Sequence, residues 1–277
     1  MAHILERRRL VPNIHLIRIH APEVARRCRP GQFIMVMADP DGERIPLSIA
    51  DWDAAEGSVS AVFLLVGTST QKLARLKAGD ALAACAGPLG RPSEIAAFGT
   101  VLLVAGCYGI GALYPAARAL RAAGNRLLLL ADVKAGHLFY WQERFRELCD
   151  RVMTAERDLG GMSQEFASRT VAGVAAGEKR IDRVMVSGCA YLLASVSEAT
   201  RPLGLRTIVS LNPVMVDGTG MCGACRCSIG GKTRFACVDG PDFDGHQVDW
   251  PELFRRRAAY LDDEIRSLCW WERETLP

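Results

Sequence analysis

The run Asp217-Gly-Thr-Gly-Met-Cys222-Gly-Ala-Cys225-Arg-Cys227, with Cys237 ten residues further on, concentrates the metal-binding chemistry of this chain. Plant-type [2Fe–2S] sites space their thiolates as C-x4-C-x2-C with a distant fourth cysteine. Asp217, Cys222, Cys225 and Cys237 reproduce that spacing with a carboxylate in the first place. Gly218, Gly220 and Gly223 let the backbone reach positive φ without a Cβ clash. Such a wrap turns backbone N–H groups inward, toward the sulfides of an anionic cluster. Zinc also accepts cysteine and aspartate, which leaves a zinc-binding structural protein as a rival reading. Zinc sites usually pair two short C-x2-C clips, whereas this loop has a lone distant Cys237 and extra glycines, so iron–sulfur is favoured. Cys227 is surplus: either a bystander or the ligand in place of Asp217, with the x4 spacing favouring Asp217.

Two further stretches carry ligand chemistry. In Arg44-Ile-Pro46-Leu47-Ser48 a guanidinium precedes a proline and then a hydroxyl on the same side of a strand. Such a strand can grip a flavin's pyrophosphate and present a hydroxyl to its ring. Gly67-Thr68-Ser-Thr70, opening a helix, adds backbone donors and hydroxyls suited to phosphate. Arg44, Pro46, Leu47, Ser48, Gly67, Thr68 and Thr70 are therefore the candidate flavin contacts. Gly106-Cys-Tyr-Gly109-Ile-Gly111 follows an apolar strand and opens a helix, the setting of a dinucleotide-phosphate loop, although a tight strand-to-helix turn would read the same. Cys189, after a later strand, is either a thiol beside a nicotinamide or flavin or a buried structural cysteine.

The elements that must position these residues fall into three regions. Residues 1–97 alternate in short strands, such as Ile14–Ile19, Phe33–Met37 and Val59–Val66, with turns at Arg29-Pro-Gly31, Asp39-Pro-Asp-Gly42 and Lys77-Ala-Gly-Asp80. They predict a small antiparallel barrel interrupted by a helix near Thr70–Leu76 and ended by a tight turn at Gly87-Pro-Leu-Gly90. Residues 98–212 alternate apolar strands (101–105, 126–131, near 152, 183–186) with helices (112–123, 141–149, 164–175, 191–200), predicting a parallel sheet covered on both faces. Residues 213–277 hold the cluster loop and an amphipathic helix over about 251–270.

Composition narrows the function classes. At 49% hydrophobic, 277 residues can bury a real core, and a net charge of +3 gives no case for a nucleic-acid partner. The apolar runs are strand-sized, short of the roughly 20 residues that span a bilayer, and no signal peptide is visible, so a cytoplasmic protein without membrane insertion is expected. The scattered cysteines (28, 85, 107, 149, 189 and 269) read as small buried hydrophobes.

Taken in order, flavin barrel, nucleotide sheet and C-terminal [2Fe–2S] loop resemble the ferredoxin–NADP reductase superfamily. The likeness covers nearly the whole chain and is nearest to the small (alpha) subunit of NADH-dependent reduced ferredoxin:NADP oxidoreductase. That group includes sulfide dehydrogenase subunits and the dihydroorotate dehydrogenase electron-transfer subunit. It is strongest at residues 43–51, 87–92, 216–226 and 235–241. The resemblance implies FAD held by Arg44, Pro46, Ser48 and Thr70, and a cluster held by Asp217, Cys222, Cys225 and Cys237. It also implies a larger partner subunit carrying flavin or iron–sulfur centres, with a ferredoxin as another potential partner. The family's dihydroorotate branch has cysteine at the first ligand position, so Asp217 points to the ferredoxin–NADP or sulfide dehydrogenase branch.

The nucleotide half departs from the family pattern. The Gly-Gly loop followed by Ala-Pro is Gly106–Ala112, the Cys/Ile-Gly-Pro signature is Ser187-Gly-Cys189, and the acidic ribose-binding stretch is Glu156-Arg-Asp-Leu-Gly-Gly161. NAD(H) against NADP(H) stays open. The reading is an NAD(P)H-dependent flavin and iron–sulfur oxidoreductase subunit, with a non-enzymatic electron-transfer module as its first rival.

Overall fold

The computed structural model describes residues 2–156 and 164–275. Strands β1 (His3–Val11), β2 (Ile14–His20), β3 (Phe33–Met37), β4 (Ile45–Asp53), β5 (Ser58–Leu64) and β6 (Ala84–Leu89) form the first sheet, with helix α1 (Pro22–Ala25) after β2 and α2 (Thr68–Arg75) after β5. The order is β1-β2-β5-β4-β3-β6, every pairing antiparallel. A bridge from His3 to Ala81 draws the two edges together, so the sheet curls into the expected barrel. Gly87-Pro-Leu lies within β6 rather than in a turn after it, because β6 pairs with β3 through this stretch.

Period-two alternation assigns the barrel's faces. Ile17, Ile19, Ile34, Leu47, Ile49, Ala61 and Phe63 fill its interior. Ile14, Leu16, Ala50 and Val62 point outward and are buried against the second domain.

That domain runs β7 (Thr100–Gly106), α3 (Gly109–Ala122), β8 (Arg126–Val133), α4 (Gln142–Leu148), β9 (Arg151–Glu156), α5 (Gln164–Ala176), β10 (Arg183–Ser187), α6 (Ala190–Thr200) and β11 (Thr207–Ser210). The predicted strands are parallel, with β7, β8 and β10 buried on both faces and the edge strand β9 largely exposed. Leu102 and Val104 pack with α5 and α6, whereas Val101, Leu103 and Ala105 pack with α3 and α4. The two helix layers leave β7 and β10 as neighbours whose following helices depart to opposite faces. This is the topological switch point at which such sheets bind ligands.

The C-terminal region contributes the hairpin β12 (Arg226–Ile229) and β13 (Lys232–Phe235), then β14 (Asp242–Asp244), α7 (Trp250–Arg257) and α8 (Leu261–Thr275). β14 pairs antiparallel with β11, making the second sheet mixed. The single amphipathic helix expected over 251–270 is two helices. Asp249 caps α7 by accepting the Glu252 N–H at 2.9 Å. The acidic run Asp262-Asp263-Glu264 supplies a second helix start, with its charges at the positive end of the α8 dipole.

Asp242 ties the three regions together. Its carboxyl is buried and takes hydrogen bonds from Ser93, at 2.5 Å, and from Ser210. Burial raises its pKa. Among the described residues no helix is long and apolar enough to cross a membrane.

Candidate redox site

Three glycines at positive φ shape the cluster loop: Gly218 (+76°), Gly220 (+89°) and Gly223 (+67°). Their wrap turns N–H groups onto Asp217, whose Oδ1 accepts from Thr219 at 2.9 Å and whose Oδ2 accepts from Cys222 at 2.8 Å and Met221 at 3.1 Å. These donors, Thr219 foremost, hold the carboxyl at about 2, so it is an anion at neutral pH. Cys225 and Cys237 are buried with their sulfurs 3.1 Å apart, and Cys222 lies at the exposed rim.

The donor set fits an iron–sulfur cluster better than a mononuclear metal. Among the described residues no three His, Cys, Asp or Glu groups are grouped to hold one metal ion. A mononuclear zinc site needs four ligands on one centre. A two-iron cluster needs only two protein ligands per iron, and Cys225 with Cys237 is one such pair. Asp217 keeps acceptor capacity on Oδ1, which takes a single N–H. Cys227 is 2% exposed and bonds within its own hairpin, its thiol donating to the Arg234 carbonyl at 3.6 Å. Burial pushes that thiol up to about 12.

The candidate flavin residues lie directly beside this loop. Pro46 and Ser48 share the outward face of β4, with Pro46 opposite Met35 and Ser48 opposite Phe33, and Arg44 immediately precedes the strand. Directly opposed residues place their side chains on the same face, and Phe33 and Met35 are buried together with Cys225 and Cys237. A Cβ on Gly218 would lie 2.7 Å from Met35 Cγ and 2.9 Å from Leu89 Cδ1, so the loop rests on this face of the barrel. Leu47 alternates to the opposite face. Its side chain turns into the barrel core and is 6% exposed, which leaves only its backbone for a ligand.

At the start of α2, Gly67 has open space above it. Thr70 Oγ1 accepts N–H bonds from Val66 and Gly67 and donates to the Gly67 carbonyl at 2.8 Å, so this hydroxyl caps its own helix. Thr68 Oγ1 bonds Ser267 Oγ on α8 at 2.8 Å.

The nucleotide loop differs from expectation in how it uses its glycines. A Cβ on Gly109 would overlap the Ser187 carbonyl, and one on Gly111 would lie 2.8 Å from Val62 on the barrel. A Cβ on Gly106 would lie 2.9 Å from Leu192. These glycines admit close packing between β7, β10, α6 and the barrel, and α3 accordingly begins at Gly109 rather than near Ala112. The Gly111 N–H donates to Tyr140 Oη at 2.9 Å, and that hydroxyl donates to the Cys107 carbonyl at 2.9 Å. The Gly111 amide is therefore engaged within the protein.

Tyr108 bridges the two loops at the switch point. Its hydroxyl donates to the Gly188 carbonyl at 3.0 Å and accepts from Asn212 Nδ2. Asn212 Nδ2 also donates to the Gly188 carbonyl at 3.0 Å, and Arg257 of α7 donates to Asn212 Oδ1 at 2.9 Å. Burial pushes the Tyr108 phenol up to about 12. Sequence reasoning passes over Tyr108, Asn212 and Arg257. A tyrosine standing in a glycine-rich loop is the one signal that could have found them. Cys189 is half-buried at the N-cap of α6. Cys28 and Cys149 are buried as expected, but Cys107 and Cys269 are exposed. Of the acidic stretch 156–161, only Glu156 lies within the described residues.

The model of the iron–sulfur cluster binding domain of dihydroorotate dehydrogenase B matches residues 212–249. A dihydroorotate dehydrogenase B (NAD(+)) electron transfer subunit homolog of Thermotoga maritima is 40% identical over 246 residues, 89% of this chain and 86% of that protein. The chain belongs to the family of dihydroorotate dehydrogenase B electron transfer subunits. The electron transfer subunit of Enterococcus faecalis is 26% identical over 90% of this chain and 97% of its own length. A solved structure of an NADH-dependent reduced ferredoxin–NADP oxidoreductase, described in terms of flavin-based electron bifurcation, superposes with a TM-score of 0.89. It is 37% identical and covers 99% of this chain and 98% of its own. The resemblance read from the motifs holds for the family, and the barrel, nucleotide sheet and cluster domain follow in the expected order.

Proposed function

We propose that the chain is the FAD- and [2Fe–2S]-containing electron-transfer subunit of an oxidoreductase complex, passing electrons between NAD(P)H and a larger partner subunit. The observation that carries this reading is the β3–β4 register. It sets Pro46 and Ser48 beside Met35 and Phe33, on the face where the cluster loop rests. A flavin on Arg44, Pro46 and Ser48 and a cluster on Asp217, Cys222, Cys225 and Cys237 would then be neighbours across one strand spacing, about 4.8 Å of backbone.

The flavin supplies the exchange between paired and single electrons, and the protein positions it. Arg44 neutralises phosphate charge, the first turn of α2 offers N–H groups to it, and Ser48 presents a hydroxyl to the ring. Asp217 supplies a carboxylate that the loop amides hold ionised. Tyr108 covers the switch-point crevice and has to swing aside for a nicotinamide to enter. Apolar side chains exposed around the cluster loop, above all Met221 at 89% and Val216 at 53%, suit a partner that docks over it. A cytoplasmic setting agrees with redox chemistry built on unpaired thiols.

Anaerobic titration of the purified protein with NADH and NADPH, followed by flavin absorbance, tests the nucleotide step. Bleaching by one of them is expected. Bleaching by neither would leave an electron-transfer module wired only between protein partners. Asp217→Cys tests the cluster. A carboxylate donates less electron density than a thiolate, so the substitution lowers the cluster potential. An unchanged potential and EPR signal would remove Asp217 from the ligand set.

A further inference from the structure

We infer that the open end of the barrel carries an anion-binding cleft, separate from the flavin face, that takes a phosphate-bearing small molecule on Arg7, Arg9 and Arg75. The cleft encloses about 390 Å³ between the β1–β2 hairpin and α2. That volume falls in the range of small-ligand sites.

Strand register makes the site. Arg7 lies opposite Ile17 and Arg9 opposite His15, so both arginines share the face of Ile17, which is buried in the barrel. Arg8 alternates to the other face, where it pairs with Glu6 at 3.5 Å. α2 brings Gln71 and Arg75 to the same cleft at helical i, i+4 spacing. Arg75 is stacked on Trp271 at 4.7 Å, and Arg7 Nε donates to the Leu76 carbonyl at 3.4 Å. Arg7 and Arg75 are thus tethered by contacts that leave their charges uncompensated. No carboxylate lines the cleft.

His15 gives a second, independent indication. Its ring lines the cleft at 7% exposure, stacked on Phe63 at 5.7 Å, and its Nδ1 has no hydrogen-bond partner. A buried polar atom without a partner is a standing penalty unless something else satisfies it. The local field agrees, because burial first, then Arg7 and Arg9, lower the His15 pKa. Three converging guanidiniums recognise phosphate oxygens through charge-assisted hydrogen bonds. The concave shape suits a small ligand rather than the flat face of a protein partner. The flavin candidates of β4 point outward on a strand that β5 separates from β2, and those of α2 lie at its first turn, at the opposite end of the helix from Arg75, so the two sites are neighbours along α2 with different arginines.

Calorimetric titration of the flavin- and cluster-loaded protein with inorganic pyrophosphate tests the site. One-site saturable binding is expected, weakened about tenfold or more by Arg7→Ala/Arg9→Ala and likewise by Arg75→Gln from the other wall. Arg8→Ala should leave the affinity unchanged, and every variant should retain its FAD. Absence of saturable binding overturns the proposal. An equal loss with Arg8→Ala also overturns it, because the attraction would then be diffuse. Loss of FAD in the double variant would make the cleft part of the flavin site. Inert pyrophosphate together with failure of the double variant to co-purify with its partner subunit would make the face a protein-docking surface instead.

Discussion

The cluster loop and the nucleotide loop each hold three glycines within six residues, and the fold uses them in opposite ways. In the cluster loop Gly218, Gly220 and Gly223 all adopt positive φ, and the amides they release turn onto the candidate ligand Asp217. In the nucleotide loop the left-handed conformation falls on Cys107 (φ +51°), while Gly109 and Gly111 are glycines because neighbouring elements press against them. The first loop turns its donors inward onto its own carboxylate. The second has its Gly111 amide bonded to Tyr140, and Tyr108 ties it to Gly188 of the neighbouring loop. Glycine spacing alone therefore does not distinguish a cradle from a packing contact, and the destination of the freed N–H groups does.

The strongest way to break this contrast is to remove a thiol. Cys237→Ser is expected to abolish the cluster, read as loss of iron and acid-labile sulfide, while the flavin is retained. Cys227→Ser should keep near-normal iron, and equal loss in the two variants would erase the distinction between ligand and hairpin cysteine.

Tyr108→Ala tests the other loop. Removing the ring frees the loops from two hydrogen bonds, each worth about 1 kcal/mol, so the apparent Kd for NADH should fall by up to about thirtyfold in flavin-bleaching titrations. A weaker or unchanged affinity would mean that Tyr108 does not close a nucleotide site.

Gly218→Ala sharpens the comparison from the backbone side. Positive φ and the contact with Met35 together predict a loss of about 2 kcal/mol, visible in the denaturation midpoint.

The smallest effect concerns the joint between the regions. Asp242 has a folded-state pKa above its unfolded value, so its contribution is fully present below the unfolded pKa and is lost as pH rises through the folded one. Melting temperature should therefore decline across that window, and Asp242→Asn should flatten the decline.

The cluster loop is legible in the sequence because its ligands and the glycines that shape it are local in the chain. The barrel's faces are legible for the same reason, since alternation at Leu47 and Ser48 reports which way each side chain points. Even so, alternation applied strictly would have excluded Leu47 as a side-chain contact. The break between α7 and α8 is marked by Asp262-Asp263-Glu264, an acidic start signal inside what reads as one amphipathic stretch. Less can be read where the deciding contact comes from far along the chain. Tyr140 reaches Gly111 across 29 residues, Asn212 reaches Tyr108 across 104, and Ser93 reaches Asp242 across 149.

Residue types and spacing by themselves determined an iron–sulfur loop, a flavin-type barrel and a covered parallel sheet, because each follows from short-range periodicity or ligand chemistry. Only the tertiary structure decided that the cluster loop rests beside the candidate flavin strand, that β14 completes the second sheet, and that Tyr108 bridges the loops at the switch point. Those outcomes depend on which surfaces meet, and burial against a distant element leaves no periodic trace in the chain that it covers.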